Sequence, residues 1–157
     1  MILQNISLEK MTDLAKSFLE SVESETHESA YVVHLAGAIG AGKTTFTKSL
    51  AKELGVIDTL HSPTFVMMRE YECRENHINK RYLKLVHIDA YRFENKSEGD
   101  FLGLSSELKD KHNMIVIEWP ELMHAPKFDV ELAFSYAKDK KGEMKENFRD
   151  IKISYAK

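Results

Sequence analysis

Tyr31-Val32-Val33-His34-Leu35-Ala36 runs straight into Gly37-Ala38-Ile39-Gly40-Ala41-Gly42-Lys43-Thr44-Thr45, and this junction decides the fold. The first six residues are apolar and partly β-branched, as in a strand buried within a parallel sheet. Gly37 to Thr44 then satisfy GxxxxGK[ST] in full. Downstream, Phe46, Leu50, Ala51 and Leu54 fall at helical spacing, and Gly55 stands where a helix C-terminus is capped. Strand, glycine loop and helix in that order are the context a phosphate-binding loop requires. The physical reason is direct. Glycines let the backbone curl so that amides around Gly40 and Gly42 face an anion, and the helix adds the positive end of its dipole. Lys43 would bring a full charge to the β- and γ-phosphates, and the Thr44 hydroxyl is placed to ligate Mg²⁺.

Such a loop needs a carboxylate to complete the metal site, usually at the end of a neighbouring buried strand. Two stand in that position. Asp89 ends Leu85-Val86-His87-Ile88, and Glu118 ends Met114-Ile115-Val116-Ile117. A carboxylate just past an apolar strand is costly to bury unless a cation or donors meet it. A guanine-specific protein would carry NKxD. The nearest match, Asn95-Lys96-Ser97-Glu98, ends in Glu and follows no apolar strand, so the nucleotide reads as ATP.

Working outward, Met1 to Ile6 reads as a short strand. Ser7 is placed to cap a helix from Leu8 to about Ser24, with Leu8, Met11, Leu14, Ala15, Phe18, Leu19 and Val22 on one face. Phe65 to Glu72 and Tyr82 to Ile88 flank the polar segment Cys73 to Arg81 as a long hairpin. Asn95 to Asp110 reads as loop plus short helix, and Met114 to Trp119 as a buried strand stopped by Pro120. Phe128 to Tyr136 and Phe148 to Tyr155 read as strands, with the charged stretch Lys138 to Asn147 as an exposed turn or mobile loop. The expected fold class is α/β: a mixed sheet of the P-loop NTPase kind, flanked by helices, with β-hairpin additions.

A chain of 157 residues is about one domain, read here as a single ATPase domain over residues 1–157. Lys plus Arg number 22 and Asp plus Glu 25, which excludes a strongly basic nucleic-acid coat. The single Cys73 excludes an internal disulfide framework and a multi-cysteine zinc site. No apolar run approaches the ~20 residues that span a bilayer, and no leader pattern opens the sequence. The expectation is a cytoplasmic protein without a membrane partner. His34 and His61 show no metal-ligand spacing and read as structural.

Four stretches together carry a more specific likeness: LAGAIGAGKTTF (Leu35 to Phe46), SPTF (Ser62 to Phe65), HIDAYR (His87 to Arg92) and IEWPE (Ile117 to Glu121). In order and spacing the chain resembles the TsaE family, small bacterial P-loop ATPases needed to make threonylcarbamoyladenosine in tRNA. The resemblance covers nearly the whole chain. It implies that Gly37, Ala38, Ile39, Gly40, Ala41, Gly42, Lys43, Thr44 and Thr45 bind the ATP phosphates, and that Thr44 and Glu118 hold Mg²⁺. It implies that Asp89 supports hydrolysis, that Thr64 acts as a switch-like threonine near the γ-phosphate, and that Thr12 lies near the base. It also implies TsaD and TsaB as partners, with tRNA engaged only indirectly. Many members carry an acid after the first loop glycine. Here that residue is Ala38, which the backbone cradle does not require.

Among the other motif residues, His87 is expected to orient neighbours or pack, and Arg92 is a candidate arginine finger. Trp119 is expected to be a packed aromatic beside the nucleotide. The rival reading is a small-molecule or nucleoside kinase, which would move phosphate to an acceptor rather than release it.

Overall fold

The computed structural model describes residues 1–61 and 66–156. Among the described residues seven strands form one sheet in the order β1-β7-β6-β2-β5-β4-β3. They are β1 (Ile2–Ser7), β2 (Tyr31–Gly37), β3 (Met68–Glu72), β4 (Lys84–Asp89), β5 (Asn113–Glu118), β6 (Val130–Lys138) and β7 (Met144–Tyr155). The helices are α1 (Met11–Glu23), α2 (Lys43–Glu53) and the single turn α3 (Leu104–Glu107). The centre is parallel: β2 pairs with both β5 and β6, and β5 pairs with β4. Antiparallel strands complete both sides, β3 against β4 and β7 against β6, with β1 on β7.

Side chains alternate across the sheet, so each of the central strands β2, β4 and β5 feeds two cores. Tyr31, Val33 and Leu35 of β2 pack with the buried stripe Met11, Ala15, Phe18, Leu19 and Val22 of α1 and with Phe46 and Leu50 of α2. Val32 joins Val86, Ile88, Ile115 and Ile117 on the opposite face, covered by Phe93 and Met123. β2, β4 and β5 carry near-continuous buried apolar runs because both of their faces are covered. The C-terminal ends of β2, β4 and β5 therefore open on one edge, where crossover connections leave a crevice.

Several boundaries differ from the sequence reading. Ser7 makes no capping bond. It is still paired with Phe148 in β1, and a 3-10 turn over Leu8–Lys10 redirects the chain before α1 begins at Met11. The segment Cys73 to Arg81 is not a free polar connection. Asn76 Nδ2 donates to Glu53 O at 2.9 Å, and Asn79 Nδ2 to Leu54 O at 2.9 Å, so it closes the C-terminal end of α2. Cys73 is buried there, and burial pushes its thiol up to about 12. Trp119 is not extended: its φ of +59° turns the chain out of β5. The stretch read as an exposed turn or mobile loop, Lys138 to Asn147, is a turn over residues 139–143 with strand on either side. β6 runs to Lys138 and β7 starts at Met144, leaving a turn in which Asp139 Oδ1 accepts from the amides of Lys141 and Glu143 at 2.7 and 2.9 Å. Its charges project from the exposed end of a hairpin, where solvent carries them at little cost. The expected β3–β4 hairpin forms over Met68–Asp89, while residue 65, its expected start, lies outside the described residues. Among the described residues no helix is long and apolar enough to cross a membrane.

Candidate functional site

The loop between β2 and α2 borders a cavity of about 250 Å³ at the C-terminal edge of the parallel strands. Ile39, Gly40, Gly42, Lys43, Thr44 and Thr45 line it from the loop, with Asp89, Tyr91, Glu118 and Trp119 opposite. Gly37, Ala38 and Ala41 are not among the lining residues. Two glycines are required by geometry. A Cβ on Gly37 would stand 2.3 Å from the Phe134 carbonyl oxygen of the paired strand, where backbone cannot yield. Gly42 caps α2 with φ of +105°, a conformation closed to ordinary L-residues.

Lys43 donates to Gly37 O at 2.6 Å and Ala38 O at 3.0 Å, and its ammonium lies 3.8 Å from the centre of the Trp119 ring. Burial lowers the pKa of Lys43, and the charges of Glu118, Asp89 and Glu121 oppose that shift. Thr44 Oγ1 donates to Glu118 Oε2 at 3.0 Å. The other carboxylate oxygen, Oε1, lies 2.9 Å from Nε2 of His87, which is completely buried. Glu118 is thus held at both oxygens. Asp89 is its register partner across the β4–β5 pairing and is also buried. Asp89 Oδ1 accepts from the amide of Tyr91 at 3.0 Å, and the Tyr91 and Trp119 rings lie 5.3 Å apart.

The structure brings together Lys43, Thr44, Asp89 and Glu118, residues far apart in sequence. Thr12 does not line the cavity. Its hydroxyl lies 3.4 Å from Ser49 Oγ, where α1 packs on α2. Thr64 and the rest of the SPTF motif lie outside the described residues. Arg92 is exposed on the turn after β4 and is not among the lining residues. His34 packs against the Phe128 ring at 5.2 Å, away from the cavity, as a structural histidine.

Two contributors escaped the sequence reading. Arg149 of β7 donates to the carbonyls of Ala41 and Gly40, and Tyr136 of β6 donates to that of Ile39. A signal existed for the first. Arg149, Ile151 and Ile153 share the buried face of β7 at a period of two, and a charge on such a face needs partners.

Hard oxygen donors at the end of β5 and the start of α2 suit Mg²⁺, which takes few protein ligands and completes its shell with water and phosphate oxygens. Among the described residues no cluster of three His, Cys, Asp or Glu side chains is gathered for a metal. The loop in turn fits a polyphosphate. Its glycines leave the backbone uncovered at the cavity wall, and a buried lysine stands beside it.

The profile of the family described as "Threonylcarbamoyl adenosine biosynthesis protein TsaE" matches residues 6–146. A Bacillus subtilis protein described as tRNA threonylcarbamoyladenosine biosynthesis protein TsaE is 41% identical over 92 residues, 59% of this chain but only 52% of its own length. Proteins of the same description from Aquifex aeolicus and Borreliella burgdorferi are 34% and 35% identical, covering 76% and 78% of this chain and 79% and 80% of their own. Among solved structures, that of Bacillus subtilis YdiB superposes with a TM-score of 0.65 at 26% identity, over 96% of this chain and 82% of that one. With its glycine loop, paired carboxylates and sheet order joined to these matches, the chain belongs to the TsaE family of threonylcarbamoyl adenosine biosynthesis proteins.

Proposed function

We propose that the chain binds Mg-ATP in the cavity beside Gly37 to Thr45 and hydrolyses it, and that this cycle drives turnover of a TsaD–TsaB complex in the threonylcarbamoylation of tRNA. The observation that carries the reading is the Thr44–Glu118 hydrogen bond of 3.0 Å at the mouth of the glycine loop. The Thr44 hydroxyl and the Glu118 carboxylate are the residues that would hold Mg²⁺. Bound there, Mg²⁺ would offset the charge that develops during phosphoryl transfer. The remaining work falls to the chain. Lys43 would exchange the carbonyls of Gly37 and Ala38 for phosphate oxygens, keeping its charge in a desolvated site where it counts for more than in water. Asp89, side by side with Glu118, would orient the attacking water, and Thr64 would respond to the γ-phosphate. His87 would keep Glu118 turned toward Thr44.

Phosphate release is the deciding measurement. The wild type should release phosphate slowly alone and faster with TsaB–TsaD. Glu118→Ala should abolish the stimulated rate, and Asp89→Ala should abolish release while ATP still binds. Rapid turnover unchanged by the partners, or transfer of the γ-phosphate to an acceptor, would overturn the proposal.

A further inference from the structure

The phosphate-binding loop is fastened from the side opposite the cavity by the β6–β7 hairpin. Arg149 is only 3% exposed. Its Nε donates to Ala41 O at 3.0 Å and its Nη2 to Gly40 O at 2.8 Å, while Nη1 donates to Glu146 O at 2.6 Å and Phe148 O at 2.9 Å. The guanidinium lies 4.2 Å from the centre of the Tyr136 ring, and the Tyr136 hydroxyl donates to Ile39 O at 3.3 Å. Three consecutive loop carbonyls, those of Ile39, Gly40 and Ala41, are therefore engaged by one hairpin.

In a trans peptide, a carbonyl and the following N–H point in opposite directions. Holding the Ile39 and Ala41 carbonyls against the hairpin turns the amides of Gly40 and Gly42 the other way, and both residues line the cavity. Each hydrogen bond named for Arg149 goes to a carbonyl oxygen, so its positive charge adds to the field on the far side of the loop. A buried arginine is costly unless its donors are met, and here the loop itself meets two of them. Arg149 also lies beyond residues 6–146, the part of the chain that matches the family profile.

We propose that Arg149, stacked on Tyr136, is the positioning residue that sets the loop's anion-binding shape in advance, and that removing it weakens polyphosphate binding rather than the chemical step. This rests on the reading of the cavity as an ATP site. The test compares wild type, Arg149→Met, Arg149→Lys and Tyr136→Phe, with Lys152→Ala on the exposed face of β7 as the control. Calorimetry with Mg-ATP, at a temperature where circular dichroism reports folded protein, should show about a tenfold loss of affinity in Arg149→Met, the effect expected from losing charged hydrogen bonds. Arg149→Lys should recover part of it. KM should rise while kcat at saturating nucleotide holds, and without nucleotide the amides of residues 40–42 should exchange faster. A folded Arg149→Met with wild-type affinity and exchange would overturn the clamp. Where Arg149→Met does not fold, Arg149→Lys and Tyr136→Phe decide by the same two readouts. Wild type giving no heat with Mg-ATP would overturn the ATP reading, while the exchange measurement still decides the clamp.

Discussion

Gly37 shows how tightly single positions constrain this site. It has φ of +132°, and its missing Cβ leaves room for the Phe134 carbonyl of the neighbouring strand. Gly37→Ala would impose both backbone strain and a clash with main chain, so the loop or β6 must shift. Expected is a loss of stability on the order of 3 kcal/mol in denaturant unfolding, together with weakened Mg-ATP binding. Trp119 is the complementary case. No sequence rule places a bulky residue at φ of +59°, yet this conformation sets its ring over the Lys43 ammonium. Lys43, Thr44, Asp89 and Glu118 were legible because motif and strand ends locate them without tertiary knowledge. For Arg149 the sequence could signal only a buried charge, and for Tyr136 nothing, because their partners depend on β6 settling beside β2 and β7 beside β6, a choice made by long-range pairing.

Among the elements, those with one strong local signal read true, the outer strands formed as expected, and the boundaries set by pairing moved. The α1 stripe and the apolar runs of β2, β4 and β5 are dictated by periodicity and burial. The start of β7 is dictated by β6, since the Lys138–Met144 pairing draws charged residues into a strand whose local composition favours a loop. Helix α2 shows the same dependence at its far end. Asn79, fully buried, donates to Leu54 O and Tyr82 O and accepts from the amide of Tyr82, joining α2 to the approach to β4. Asn79→Ala would strand these groups away from water. The expected cost is about 2 kcal/mol in unfolding free energy, visible as a lowered Tm, with earlier amide exchange in the last turn of α2.

For the whole molecule, stability should depend on acidity through the core. Burial in the face opposite α1 and α2 lowers the pKa of His34 from 6.5 to about 4, partly offset by the Pro126 carbonyl. The unfolded chain therefore binds a proton near pH 6.5 that the folded chain refuses until about pH 4. Stability must fall as pH drops through that interval and is retained above it. His34→Leu should remove this part of the acid loss. The difference between wild type and variant should reach about 2 kcal/mol when unfolding curves at neutral pH and at mildly acidic pH are compared. The arrangement of Arg149 has a consequence in time as well as in space. It follows the loop carbonyl it grips by 108 residues, so a ribosome delivers the glycine loop long before its fastener. On the clamp proposal, a growing polypeptide would not hold polyphosphate firmly until β7 has zipped onto β6, so firm capture would wait on a strand made long after the loop.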